Sequence, residues 1–167
     1  RSGGFRGSKL SLYEGGVRMP FIVHWPGHVP AGRVDETDVL SATDMLPTLC
    51  ALAGAEIPGD VQSRLNGQDI SAALFEKGKI ERQAPLFWEY GHNDSKRYAY
   101  PREPNDRSPH LSVREGRWTL LVNPDGSDPQ LYDVVADPSQ GINRATEQAD
   151  ITKQLTEKVL AWRKTLP

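Results

Sequence analysis

Residues 6–20 read RGSKLSLYEGGVRMP, and the other motifs of the chain are interpreted outward from this stretch. It is a basic loop interrupted by glycine that presents one ammonium group, that of Lys9. The pair Gly15-Gly16 has no Cβ, so it suits a tight turn in which the backbone must approach another group closely. The final proline leads into the apolar run Phe21–Trp25, and proline is tolerated at the first residue of a strand. We therefore predict a loop, a turn and a buried strand in this order.

The composition is that of an ordinary folded chain. Its 167 residues are 25% charged and 37% hydrophobic, and the formal net charge of -2 gives no electrostatic reason to expect a nucleic acid or a membrane surface as partner. No apolar run approaches the roughly 20 residues of a membrane span. The single cysteine, Cys50, excludes an internal disulfide, so the redox compartment and the localisation remain unknown.

A helix is predicted between residues 44 and 54. Thr43 or Asp44 would supply a side-chain oxygen to its first free N–H groups, and Gly54 would end it. We interpret Asp44 as a cap and not as a metal ligand. The helical spacing places four residues on one apolar face, namely Leu46, Leu49, Cys50 and Ala53. Cys50 is accordingly expected to be a small packing residue. A further short helix is expected over residues 70–75.

The pattern changes after residues 76–84, which are charged and lack apolar periodicity, so we place a boundary there and divide the chain into residues 1–83 and 84–167. The second part is rich in aromatic and β-branched residues. It predicts strands at residues 85–90, 111–115, 118–122 and 130–134, with a hairpin turn at residues 115–116. Apolar residues then recur at steps of three and four from Ile151 to Leu166, which predicts a C-terminal helix across a small antiparallel sheet.

Several spaced motifs resemble one enzyme family in order along the chain. They are R-G-x-K and Y-E-G-G-x-R-x-P in residues 6–20, D-x-x-P-T at 44–48, L-A-G at 52–54, N-G-x-D-I at 66–70, V-R-x-G-x-W at 113–118, L-Y-D at 131–133 and D-P at 137–138. This series resembles the C-terminal portion of the type I sulfatases, the formylglycine arylsulfatases of the alkaline-phosphatase-like superfamily. The resemblance implies an α/β (α+β) fold. Residues 1–83 would form the C-terminal part of the catalytic α/β domain, and residues 84–167 would form a C-terminal subdomain of antiparallel sheet and helix.

The resemblance also implies an activity, the hydrolysis of sulfate esters of a small molecule or carbohydrate. Lys9 occupies the lysine position of R-G-x-K and would be catalytic, because a compact ammonium stabilises charge on sulfuryl and leaving-group oxygens. A solvated loop lysine is the alternative. Arg6 is a candidate substrate-binding residue that could equally bind backbone carbonyls of its own loop. Glu14 and Arg18 are expected to form an ion pair that braces the glycine turn.

The family implies a calcium ion and a formylglycine made from cysteine in C-x-(P/A)-x-R. Cys50 has neither the proline nor the arginine, and the family's metal-binding aspartate motifs do not occur. We therefore expect a fragment without metal ligands, whose partner is the missing N-terminal part of the same protein and which is inactive as an isolated chain.

An unusual insertion spans residues 91–109, where relatives commonly run from W-E-H almost directly into the V-R strand. Here Tyr90 replaces that histidine. The insertion and its border contain further candidate substrate-binding residues, namely His92, Arg97, Tyr98 and His110. Basic groups interleaved with aromatics suit an anionic sugar, and a solvated loop is the alternative. His24 is expected in the core of the predicted strand, and His28 has no partner visible in the sequence.

Two other functions stay open at this point. One is a phosphodiesterase or phosphonate hydrolase of the same superfamily, which would differ in its preference for aryl phosphate over aryl sulfate. The other is a non-catalytic module that binds sulfated glycans, for which saturable binding by this chain alone would be the distinguishing observation.

Overall fold

The computed structural model describes residues 3–75, 80–90 and 101–166. These residues form two compact units. The first comprises the described residues of Arg1–Met19 and Pro85–Pro167, and the second those of Pro20–Ala84. The predicted assignment of residues 1–83 to a catalytic α/β domain stays a prediction.

The first unit is built on an antiparallel sheet of four strands in the order β1-β2-β3-β4. The strands are β1 (Leu86–Glu89), β2 (Leu111–Glu115), β3 (Trp118–Val122) and β4 (Gln130–Asp133). Glu115 faces Trp118 across the β2–β3 hairpin, and Gly116 opens the connecting turn at a φ of 56°, which glycine adopts without a steric penalty. The four predicted strands and the hairpin turn are thereby confirmed.

One face of this sheet is covered by helix α5 (Ala149–Arg163). Leu155 and Val159 of the helix are buried in a cluster with five strand residues, namely Leu111, Val113, Leu120, Val122 and Leu131. The Phe87 and Trp162 rings stack at a centroid distance of 5.0 Å, and Arg163 Nε lies 3.1 Å from Glu89 Oε1. The predicted C-terminal helix is confirmed, since its apolar stripe supplies the buried contacts.

The opposite face of the sheet is covered by the N-terminal segment, not by a second helix. Leu12 and Tyr13 are buried there against Leu121, Tyr132 and Val134. The single-turn helix α1 (Glu14–Val17) follows directly. Because successive strand residues point to opposite faces, Leu131 contacts the α5 side while Tyr132 contacts the N-terminal side. The motif stretch at the start of the chain is therefore part of the same unit as the C-terminal sheet.

The second unit contains helices α2 (Met45–Ala53), α3 (Gly59–Gln62) and α4 (Ser71–Leu74). A 3₁₀ turn (Ala42–Asp44) precedes α2 and has Ser41 as its N-cap, in a capping box that Asp44 completes. Asp44 is fully buried and accepts hydrogen bonds from Ser41 N at 2.7 Å and Gln68 N at 3.0 Å, and it pairs with Arg82. Asp44 thus has a structural role, as predicted, but the predicted cap is wrong: its carboxylate bonds back to Ser41 N and makes no capping bond to α2, and the side-chain cap is Ser41 of the preceding 3₁₀ turn. Gly54 ends α2 in the left-handed conformation as expected.

The strand predicted for residues 21–25 of the second unit is wrong. Residues 20–25 form no strand, and Phe21, Ile22 and His24 are exposed, so His24 is not a core residue. A strand requires a hydrogen-bonded neighbour, and in the described part of the chain the sheet β1–β4 does not include this segment.

The predicted apolar face of α2 is not its buried face. Leu46 and Leu49 are exposed, whereas Pro47 and Thr48 are buried. Hydrogen bonds determine this orientation: the Thr48 hydroxyl donates to Asp44 O at 2.6 Å and accepts from Ile70 N at 3.0 Å. Cys50 is half-buried, with its thiol free.

Within the described ranges, the helices are all too short or too polar to cross a membrane.

The difference between buried and exposed apolar residues can be tested with two valine-to-alanine substitutions in the first unit. Val113 is completely buried in the α5 cluster, and Val135 is 66% exposed. Val113→Ala should lower the free energy of unfolding by about 2 kcal/mol, because it removes buried methyl groups and leaves a cavity. Val135→Ala should change it by less than about 0.5 kcal/mol. Urea denaturation followed by tryptophan fluorescence measures both, and equal losses would contradict the described core.

Candidate active site

Lys9 lies at the tip of a turn in a loop that we call the Lys9 loop, residues 6–15. Ser11 N donates to Ser8 O at 3.1 Å, which places Lys9 in the middle of the turn, and Leu10 has a φ of 80°. The Lys9 side chain is exposed, and within the described residues it forms no hydrogen bond or ion pair. The described contacts therefore place the backbone of Lys9 and leave its ammonium accessible to solvent.

The glycines of the motif permit close backbone contacts at the base of this loop. A Cβ at Gly16 would lie 2.1 Å from Ser11 O, and one at Gly7 would lie 2.8 Å from Tyr13 Cβ. Gly7 also has a φ of 84°, which disfavours any larger residue. Gly15 N donates to Arg6 O at 2.7 Å and closes the loop. The expected close approach is confirmed at Gly16, and both glycines of the pair fall within α1.

Arg6 holds the start of the loop against the sheet. Its guanidinium lies 4.0 Å from the centroid of the Tyr13 ring, and Nη1 donates to the Tyr132 hydroxyl at 2.7 Å and to Gln140 O at 3.4 Å. A guanidinium can stack and donate at the same time because it is planar. One of the two roles predicted for Arg6 is to bind backbone carbonyls of its own loop. Arg6 does bind a backbone carbonyl, but it is that of Gln140, in a distant segment.

The two tyrosines that contact Arg6 are joined through Gln130. The Tyr13 hydroxyl donates to Gln130 Oε1 at 2.7 Å, and the Tyr132 hydroxyl donates to the same oxygen at 2.9 Å. Burial raises the pKa of Tyr13 to about 12, against the opposing effect of Arg6, so this phenol stays protonated and continues to donate. These side chains form a connected polar network between the loop and β4.

Glu14 is a buried carboxylate at the far end of the loop. Arg18 Nη1 lies 3.8 Å from its Oε2, and Arg114 Nη1 lies 4.0 Å from its Oε1. The expected ion pair with Arg18 is thus present. Burial raises the pKa of Glu14, and the two arginines oppose this effect. Neither arginine is close enough for a short charge-assisted hydrogen bond, so burial outweighs the ion pairs.

Two further residues bind the loop from outside, and no sequence pattern singled them out. Ser108 Oγ accepts from Leu12 N at 2.8 Å, which connects the predicted insertion to the loop. Gln140 Oε1 accepts from Glu14 N at 2.8 Å, and Gln140 is completely buried. Both contacts join residues about a hundred positions apart, which is why spacing alone could not reveal them.

The remaining sequence-predicted site residues are placed only in part. His110 is half-buried next to β2, and its carbonyl accepts from Tyr90 N at 2.9 Å. His92, Arg97 and Tyr98 lie outside the described residues. Arg6 and Lys9 belong to the same loop, and any contact of these residues with a substrate stays a prediction.

The donor set does not fit a metal site or a formylglycine. Across residues 3–75, 80–90 and 101–166, three or more His, Cys, Asp or Glu side chains nowhere come together in a way that could hold a metal ion. Cys50 lies on α2, within the sequence Thr48-Leu49-Cys50-Ala51-Leu52. Neither group can be assigned to described residues of this chain.

The architecture is that of the sulfatases of the alkaline-phosphatase-like fold. A solved protein described in connection with the metabolism of multiple glycosaminoglycans by Bacteroides thetaiotaomicron superposes with a TM-score of 0.71 at 24% identity, over 97% of this chain and 32% of its own. The protein Ps i-CgsB, solved in complex with k-i-k-neocarrahexaose, superposes with a TM-score of 0.69 at 25% identity, over 91% of this chain and 30% of its own.

Sequence comparison gives the family directly. The family model for the C-terminal part of N-sulphoglucosamine sulphohydrolase matches residues 5–165, and the chain belongs to this sulfatase C-terminal family. It is 32% identical to human arylsulfatase A over 93% of the chain, and 30% identical to an N-acetylgalactosamine-6-O-sulfatase of Bacteroides thetaiotaomicron over 92%. The chain spans 32% and 29% of these two proteins, about a third of each. The resemblance found in the motifs is confirmed.

Burial of Glu14 predicts a pH dependence of stability. Its pKa in the folded state is raised above the ordinary value of 4.5, so ionisation costs more in the folded than in the unfolded chain. The free energy of unfolding of the wild type should therefore fall, relative to Glu14→Gln, as the pH rises from about 4.5 through the raised pKa. Paired urea titrations across this range measure the difference, in which the other titrating groups cancel. A difference that grew in favour of the wild type would mean that Arg18 and Arg114 outweigh burial.

Proposed function

We propose that this chain carries the active-site lysine of a hydrolase of sulfate esters, with a carbohydrate as the substrate class. Family membership over residues 5–165 and the relative named arylsulfatase A support the reaction, and the relative named N-acetylgalactosamine-6-O-sulfatase supports the substrate class. The observation that carries the assignment to Lys9 is its position: an exposed ammonium at the tip of a turn whose base is tied to the sheet by a buried polar network.

The chemistry needs a positive charge at a defined place. When the bond between sulfur and the ester oxygen breaks, negative charge grows on the leaving oxygen while the sulfuryl oxygens remain anionic. A compact ammonium with several donors stabilises that charge most where water is excluded and the donor does not have to reorganise. Lys9 would supply this group, and the hydrogen bonds at the base of the loop would hold the backbone that carries it.

Calcium and formylglycine are implied by the family, and the described residues of this chain fit neither. We propose that residues outside this chain supply the nucleophile and bind the metal, so that the isolated chain turns over no sulfate ester. The contribution of this chain is then the charge at Lys9 and the surfaces that bind the remainder of the substrate.

Replacing Lys9 tests the proposal in the full-length sulfatase that contains this chain. Lys9→Ala should lower kcat on an aryl sulfate by about a hundredfold to a thousandfold and leave KM nearly unchanged, because the interaction strengthens in the transition state. Lys9→Arg should recover only part of the rate, since a planar guanidinium does not replace a compact ammonium. Lys153→Ala, an exposed lysine of α5, is the matched control. A change confined to KM would instead make Lys9 a residue that only holds the substrate.

We also propose that the insertion at residues 91–109, with His92, Arg97, Tyr98 and the adjacent His110, selects a substrate with a second anionic group. One charge-assisted hydrogen bond to that group is worth roughly 1.5–3 kcal/mol, or about ten- to a hundredfold in selectivity. Shortening residues 91–100 to a tight turn should therefore reduce turnover of a charged oligosaccharide and spare aryl sulfate. This deletion keeps Ser108, whose hydroxyl binds the Lys9 loop. Equal losses on both substrates would identify the insertion as a structural brace, and no loss on either would leave it a solvated loop.

A further inference from the structure

Gln140 contacts the Lys9 loop at two points on opposite sides of Lys9. Its backbone carbonyl accepts from Arg6 Nη1 at 3.4 Å, and its side-chain Oε1 accepts from Glu14 N at 2.8 Å. Arg6 precedes Lys9 and Glu14 follows it, and the loop is closed between them by the bond from Gly15 N to Arg6 O. One residue of the segment after β4 therefore binds both ends of the loop.

The backbone of Gln140 adopts a conformation that most residues avoid. Gln140 has a φ of 53°, a left-handed value that is uncommon for a residue other than glycine, asparagine or aspartate. Gln140 N donates to Asp137 O at 3.1 Å, and the Asp137 carboxylate accepts from Ser139 Oγ at 2.6 Å and Ile142 N at 2.9 Å. The turn is thus fixed by its own hydrogen bonds, and it delivers a completely buried side chain to the Lys9 loop.

The two polar atoms of the Gln140 amide have different surroundings. Oε1 accepts from Glu14 N, whereas Nε2 is buried and has no hydrogen-bond partner in the described part of the chain. Only the acceptor therefore acts on the loop. The Lys9 side chain has no partner of its own in the described residues, so its placement depends on these contacts to its backbone.

We infer that Gln140 is a positioning residue for Lys9: by accepting from Glu14 N and Arg6 it fixes both ends of the loop that presents the ammonium to the sulfate ester. This inference rests on the proposed role of Lys9. It assigns to Gln140 no contact with substrate, because the residue is completely buried beneath the loop.

The test compares Gln140→Asn with Gln140→Glu in the full-length sulfatase, using an aryl sulfate. Asparagine tolerates the left-handed φ and keeps a buried amide, but its acceptor is withdrawn by roughly 1.3 Å. Glutamate keeps the acceptor in place and loses no hydrogen bond at the unpartnered Nε2 position. Gln140→Asn should lower kcat by about ten- to a hundredfold with KM within about twofold, because misplacing a catalytic group by about 1 Å has effects of this size. Gln140→Glu should lower the melting temperature, because its carboxyl group is buried, but kcat should stay within about threefold of the wild type, since the same acceptor position is kept.

The control is Gln154→Asn, which makes the same substitution at an exposed position of α5 and should leave kcat unchanged. Amide hydrogen exchange at Glu14 should accelerate in Gln140→Asn and not in Gln140→Glu, which reports the loss of the bond independently of activity. Thermal unfolding shows whether the variants remain folded at the assay temperature, and if Gln140→Asn does not, all variants are compared at a lower temperature at which it is folded.

A cycle with Lys9→Ala separates this inference from the proposed function. If Gln140 acts through Lys9, Gln140→Asn should lower kcat in the wild type and have no further effect in Lys9→Ala. An equal effect in both backgrounds, or an unchanged kcat in Gln140→Asn, overturns the role of Gln140 while leaving that of Lys9 intact. If Lys9→Ala itself retains full kcat, the proposed function is wrong, whatever Gln140 does.

Discussion

The arrangement of the first unit depends on the guanidinium of Arg6. It stacks on Tyr13 at 4.0 Å and donates to the Tyr132 hydroxyl at 2.7 Å, so a single side chain joins the N-terminal segment to the last strand of the sheet. An arginine without partners in this half-buried place would be costly, and the two tyrosines and the Gln140 carbonyl offset that cost by stacking and hydrogen bonding. This contact fixes the start of the Lys9 loop, and the bond from Glu14 N to Gln140 Oε1 fixes its end.

The C-terminal half of the fold could be predicted because its signals are local. Strands β2 and β3 are short, contain the aromatic and β-branched residues Val113, Trp118, Thr119 and Val122, and are joined by a glycine turn. The stripe through Leu155 and Val159 has helical spacing. The segment Phe21–Trp25 has equally strong apolar character and nevertheless forms no strand. Sequence pattern reports that a segment can be buried, but the hydrogen-bonded neighbour that makes it a strand is a property of the fold.

Helix α2 shows the same limit in another form. Its end at Gly54 could be predicted, because a left-handed cap is a local property of the backbone. The side-chain cap could not, since it is Ser41 of the preceding 3₁₀ turn and not Thr43 or Asp44. Its buried face could not be predicted either, since the hydrogen bonds from Ile70 N to Thr48 Oγ1 and from Gln68 N to Asp44 Oδ1 orient the helix against its apolar spacing. In the candidate site, Lys9 was found from a motif, whereas Tyr132 and Gln140 contact the loop across more than a hundred residues and resemble ordinary strand and loop residues in the sequence.

The two faces of the sheet are therefore held by different forces with different tolerance to change. The α5 face is mainly apolar, and apolar contacts are non-directional, so its residues can be exchanged for others of similar volume at modest cost. The opposite face combines a smaller apolar cluster with a polar network in which each partner has a defined geometry. Arg6 must both stack and donate, and Tyr132 must both accept from Arg6 and donate to Gln130. Phenylalanine would keep the ring of Tyr132 but lose both bonds, and lysine would keep the charge of Arg6 but not the planar fork. A loop that has to present one ammonium in a fixed place needs directional contacts of this kind, which an apolar face alone would not provide.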